Sequence, residues 1–122
     1  MITKEEIHEA FAKIYEKWSY EYLCLEQKEE GTIHELLQDH CEHITIRKVH
    51  FLVSEDGKLT LWYRYYLSVM YQNIMKIQID VEPDKLFDVM DGIMRAHQRK
   101  TLDVYCKINF GKYPKMDPDY EG

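Results

Sequence analysis

The densest run of ligand-type side chains in this sequence is Asp39-His40-Cys41-Glu42-His43, with His34 a little earlier. On a helix Asp39 and His43 stand four apart and His40 and His43 three apart. That spacing lets two of them share a face and a metal, and a metal held there would serve hydrolysis. The set lacks the spacing of zinc modules, and histidines at a helix C-terminus are already explained by the dipole, which favours the cation. Cys41 between two histidines suggests a thiolate–imidazole pair, but no third residue can be named to orient it. Cys24 falls near the apolar side of a helix and Cys106 on the inward face of a strand, where inert thiols are common.

Other catalytic chemistries find less to work with. Glu5/Glu6 and Glu29/Glu30 are paired carboxylates on expected helix surfaces and loops, where solvation explains them. The sequence holds five glycines and no phosphate-cradling glycine loop, no Gly-x-Ser-x-Gly and no His-Glu-x-x-His. No cofactor is expected. Met70, Met75, Met90 and Met94 lie at core-like periods and need none to explain them.

The elements that position these residues read as follows. Thr3 and Glu6 have the capping-box spacing, and Ile2 and Ile7 the positions of a hydrophobic staple. Ile7, Phe11, Ile14, Trp18, Tyr22 and Leu25 then form one apolar stripe, which predicts a helix ending at Gln27-Lys28-Glu29-Glu30-Gly31. Thr32 and Glu35 repeat the capping spacing before Ile33, Leu36 and Leu37, giving a second helix that frays near Cys41 to His43.

Beyond this point the period becomes two. Strand one is expected from His43 to Val53. Its Ile44 and Ile46 are out of phase with Val49, Phe51 and Val53, which a bulge at Arg47-Lys48 reconciles. Glu55-Asp56-Gly57-Lys58 signals a hairpin, Leu59 to Met70 a second strand, Tyr71-Gln72-Asn73 a turn, and Ile74 to Val81 a third strand. Pro83 opens a helix whose inner stripe is Leu86, Val89, Met90, Ile93 and His97, with Gly92 allowing a close approach. Thr101 to Phe110 alternates as strand four.

The resulting order, α-α-β-β-β-α-β, is that of one α+β domain over residues 1–110, with residues 111–122 an extended tail. The expected sheet is four-stranded and mainly antiparallel, a three-stranded meander plus a C-terminal strand, with the helices packed on one face. As an order of elements, helix–meander–helix–strand resembles type III secretion chaperones, whose fold has a later strand and a final helix that this sequence lacks.

Strand alternation divides the sheet into two faces. Leu59, Leu61, Tyr63, Met75, Ile77 and Ile79 should meet the helices. The opposite face should carry Trp62, Arg64, Tyr66, Lys76, Gln78, Tyr105 and Lys107, with His50 pointing outward too. Tyr, Trp, Arg and Lys suit a solvated sheet face, whose backbone their long side chains cover. They are also the residue types of interface hot spots, and this expectation makes the face a protein-binding surface or a homodimer contact. A second expectation stacks single-stranded nucleic acid on Trp62, Tyr66 or Tyr105, with Arg64, Lys76 and Lys107 on phosphates.

Composition bounds these readings. The 122 residues carry a formal charge of −6, which disfavours attachment to duplex nucleic acid or to an anionic membrane. Three cysteines without a Cys-x-x-Cys indicate reduced thiols, and the charged start Met1-Ile2-Thr3-Lys4-Glu5-Glu6 does not read as a signal peptide. A cytoplasmic, non-enzymatic interaction protein is expected: a small acidic inhibitor, adaptor or chaperone, of a size that fits immunity or phage anti-defence proteins.

Overall fold

A computed structural model of the protein describes residues 1–18, 41–66 and 72–117; the side chains of Tyr65, Tyr66, Gln72 and Asn73 are not among those described. Helix α1 (Lys4–Trp18) starts as its capping signals require. The Thr3 amide donates to Glu6 Oε1 at 3.1 Å and the Glu6 amide to Thr3 Oγ1 at 3.2 Å. Ile2 and Ile7, at the staple positions, are both buried in the core. The expected second helix, with Asp39 and His40, lies outside the described residues.

Strands β1 (Cys41–Ile46), β2 (Val49–Ser54), β3 (Lys58–Tyr66) and β4 (Gln72–Asp80) form an antiparallel meander. Two corrections to the expected strands arise here. Cys41 to His43 belong to a strand, not to a fraying helix end. The expected single strand from His43 to Val53 is two strands, with Ile46 opposite Val49. Arg47 and Lys48 form the two-residue turn between them at φ 50° and 68°, the left-handed values that a tight hairpin turn demands. A tight turn restores the inward phase of Val49 just as a bulge would, but it also reverses the chain.

The Asp-Gly hairpin stands as expected, with Gly57 at φ 90° and its amide donating to the Ser54 carbonyl. Gln72 and Asn73 pair with Tyr66 and Tyr65 instead of forming the turn.

Pro83–Lys85 form a single 3-10 turn leading into α2 (Leu86–Gln98). Ile7 and Ile14 of α1, Met90 and Ile93 of α2, and Phe51, Leu61 and Ile77 of the sheet share one core on the inner face. A buried carboxylate joins the two helices. Asp91 accepts the Trp18 indole N–H at 2.8 Å and pairs with Lys17 at 2.9 Å and Arg95 at 3.3 Å. Burial opposes ionisation there, but these donors outweigh it and hold the carboxyl below its usual range.

The largest correction is the expected fourth strand. Residues Leu102–Phe110 are a helix, α3, packed against α2. Leu102 and Cys106, one turn apart, are buried, while Val104 and Ile108 of the same alternation are 48% and 76% exposed. Gly111 at φ 80° caps the helix, and its amide donates to the Lys107 carbonyl. Gly92 admits this packing, because a Cβ there would collide with the Tyr105 ring and hydroxyl. The place beside β4 is taken by a two-residue strand, β5 (Lys115–Met116), from the expected tail. The sheet is thus five-stranded, in the order β1-β2-β3-β4-β5, and its last strand follows two helices.

Candidate functional site

Cross-strand register sets the outer face of the sheet in rows. One row runs Thr45–His50–Trp62–Lys76–Lys115, and the next His43–Leu52–Thr60–Gln78. Sequence alternation places Trp62, Arg64, Lys76, Gln78 and His50 on this side correctly, but not as a uniformly open platform. Trp62 is 4% exposed: its indole N–H donates to Asp117 Oδ2 at 3.0 Å, and the Lys76 ammonium lies 5.3 Å from its ring centroid.

His50 is 8% exposed, with Nδ1 2.8 Å from Thr45 Oγ1. Burial first, then the neighbouring His43 and Arg64, pull its pKa down to about 4. Neutral imidazole is therefore the form at physiological pH. Arg64 is half-buried, whereas Lys76 and Gln78 are exposed, and the Gln78 amide donates to Thr60 Oγ1 at 3.0 Å. Tyr66 closes β3 opposite Gln72.

Tyr105 and Lys107 do not belong to this face. Both stand on α3, where Tyr105 packs edge-on to Phe110 and Lys107 lies 5.7 Å from the Tyr113 ring. Of the expected metal candidates, Asp39 and His40 lie outside the described residues. His43 is on β1, so the helical spacing that joined it to Asp39 and His40 does not apply. Among the described residues no three His, Cys, Asp or Glu side chains could hold a metal ion. No described helix is long and apolar enough to cross a membrane.

Two concavities meet along Lys76 and Gln78. The first, about 320 Å³, lies on the sheet face and is lined by Cys41, Ser54, Asp56, Thr60 and Trp62, together with Lys58. Its charges are largely satisfied within the chain, since Ser54 bonds Asp56 and Lys58 pairs with Asp80. The second, about 310 Å³, lies at the β4 edge and is lined by Lys112, Tyr113, Lys115 and Met116 as well as Asp117.

In the second concavity Asp117 accepts the Trp62 indole N–H, and Lys112 lies near enough to Asp80 to help Lys58 hold its carboxyl below the usual range, but the lysines there form no salt bridge of that kind. Among the described residues Lys76, Lys112 and Lys115 make no ion pair, and Lys107 bonds the Gly111 carbonyl. Tyr113 and Met116 beside them are 55% and 56% exposed. Lys112, Tyr113, Lys115 and Met116 all lie in the segment expected to be an extended tail. Gly111, which favours the left-handed conformation of a helix C-cap, is the local sign that the chain turns there. The arrangement can bind an anionic surface around an aromatic and a thioether anchor. No family model, curated protein or solved structure matches this chain.

Proposed function

We propose that this protein is a non-enzymatic interaction module that binds an acidic surface of a protein partner, acting as an inhibitor, adaptor or chaperone by occupying that surface. The observation that carries the reading is the cluster of Lys76, Lys112 and Lys115, which make no ion pair among the described residues, around a concavity on a chain of net charge −6. Clustered ammonium groups that form no salt bridge among the described residues steer an anionic partner to one place and disfavour cationic ones, although Asp117 and Asp80 stand nearby. Tyr113 and Met116 supply the apolar contact that such a site needs at its centre. The binding surface thus moves from the middle of the sheet face, where Trp62 is covered, to its β4–β5 edge.

Single-stranded nucleic acid is the second reading, because the exposed Tyr113 ring beside lysines offers one stacking position. It has lost Trp62 and Tyr105 as further platforms on the same face, which weakens it.

A tagged capture from lysate of the source cell, with and without nuclease, tests both readings when run beside Lys112→Glu/Lys115→Glu. One stoichiometric acidic protein, retained after nuclease and lost in the variant, is the expected result. Capture that needs intact nucleic acid and falls steeply with salt favours the second reading. A partner held equally by the variant refutes the edge site.

A further inference from the structure

Backbone hydrogen bonds identify an open stretch at the same edge. The Val81 amide donates to the Gly57 carbonyl at 2.9 Å. With the β3–β4 register, this makes Ile79, Ile77 and Met75 the positions of β4 bonded to β3. On the other side, the Asp117 amide donates to the Ile74 carbonyl at 2.8 Å, so Ile74 and Lys76 turn their backbone groups toward β5. Both bonds give the same parity. By alternation, the N–H and C=O of Gln78 and Asp80 point off the edge. β5 meets β4 only at Met75 and Lys76, and among the described residues no strand carries the ladder on to Gln78 and Asp80. The edge concavity opens at this place, between Ile77-Gln78 and Lys112-Tyr113.

We propose that the acidic partner docks by adding an extended strand to this edge, pairing its backbone with Gln78 and Asp80 while its carboxylates meet Lys112 and Lys115. The inference rests on the lysine-rich edge being the binding surface. Main-chain pairing supplies affinity without regard to side chains, and the lysines supply selection. A second copy of this chain would set Lys76, Lys112 and Lys115 against their own counterparts, which repels. An acidic strand meets the same ammonium groups as counter-charges. Asp80 does not oppose it strongly, because Lys58 already pairs with its carboxylate.

The test uses an octapeptide of alternating Glu and Val, with amide hydrogen exchange read by NMR on the full chain. In the free protein Gln78 and Asp80 should exchange fast, and the ladder-bonded Ile77 and Ile79 slowly. Added peptide should slow Gln78 and Asp80 by about tenfold or more while leaving Ile77 and Ile79 unchanged. Gln78→Pro, which removes an outward N–H and no bond to β3, should lose the peptide. If that variant does not fold, exchange on the unaltered chain decides alone.

Peptide binding that Lys112→Glu/Lys115→Glu abolishes, but that leaves Gln78 and Asp80 exchange unchanged, overturns strand addition and spares the edge reading. No binding, or equal binding by the double variant, overturns both. Protection of these amides by oligothymidine with the peptide inert assigns the edge to nucleic acid and overturns the proposal.

Discussion

Protonating His50 is a perturbation whose cost can be worked from its surroundings. The ring is 8% exposed on β2, bonded to Thr45, and faces two groups that carry or can acquire positive charge, His43 and Arg64. Its pKa falls from the ordinary 6.5 to about 4 in the folded chain. The unfolded chain therefore takes up a proton near 6.5 and the folded chain only near 4, so between these values the unfolded state binds more protons. The stabilisation is complete above pH 6.5 and is lost as the pH falls toward 4. At about 1.4 kcal/mol per pH unit, that interval amounts to about 3 kcal/mol. Against a typical stability of about 5–15 kcal/mol, the loss is large enough to move a denaturation midpoint clearly.

The assay is urea unfolding from neutral pH down to about 4, on the unaltered chain and on His50→Asn. Asparagine keeps a polar atom near the place of Nδ1 and does not titrate. Acid effects from Asp91, Glu42 and the half-buried His97 are common to both proteins and cancel in the difference. The stability difference between the two should change by about 3 kcal/mol across the interval, with the unaltered chain losing more. Parallel loss in both proteins would show that His50 is not held neutral by its site.

Three further outcomes follow from the packing. Lys48→Gly should raise stability by about 0.5–1 kcal/mol in thermal unfolding, because glycine adopts φ 68° without the steric cost that lysine bears. Asp91→Ala should cost about 1–3 kcal/mol in urea unfolding, chiefly by leaving the Trp18 indole N–H without its acceptor. Lys17 and Arg95 are half-exposed and add little, and Asp91→Asn should recover part of the loss. Gly92→Ala should destabilise by forcing the Tyr105 ring away from α2, although alanine favours the helix by up to about 1 kcal/mol. Combined with Tyr105→Leu, the same substitution should cost less, and a double-mutant cycle measures the coupling.

The candidate site was legible only in its strand positions. Trp62, Lys76 and Gln78 fall on the outer face because alternation leaves no other choice once Leu61 and Ile77 point inward. Alternation says nothing about what lies on top of a residue. Asp117 and Lys76 come from elsewhere in the chain to cover Trp62, and the Lys112–Met116 segment reaches the edge only because α3 delivers it there.

Local rules were enough where a signal is short and self-contained. The Thr3–Glu6 capping box, the Asp56-Gly57 turn and the start of a helix at Pro83 each involve residues within one turn of one another. Their hydrogen bonds and dihedral preferences do not depend on the rest of the fold. Arg47-Lys48 carries no such signal, since neither residue favours positive φ. The pairing of Ile46 with Val49 and the burial of both imposed that turn.

Leu102 to Phe110 shows the limit most clearly. Its apolar residues satisfy a period of two, and Leu102, Cys106 and Phe110 also satisfy a helical step, so nine residues cannot choose. Thr101 before them and Gly111 after them were the available helix signals. The choice came from α2, whose Gly92 opens a place for Tyr105 and so rewards burial of one helical face over a row in the sheet. That long-range packing left the β4 edge to a two-residue strand, and with it the open backbone at Gln78 and Asp80.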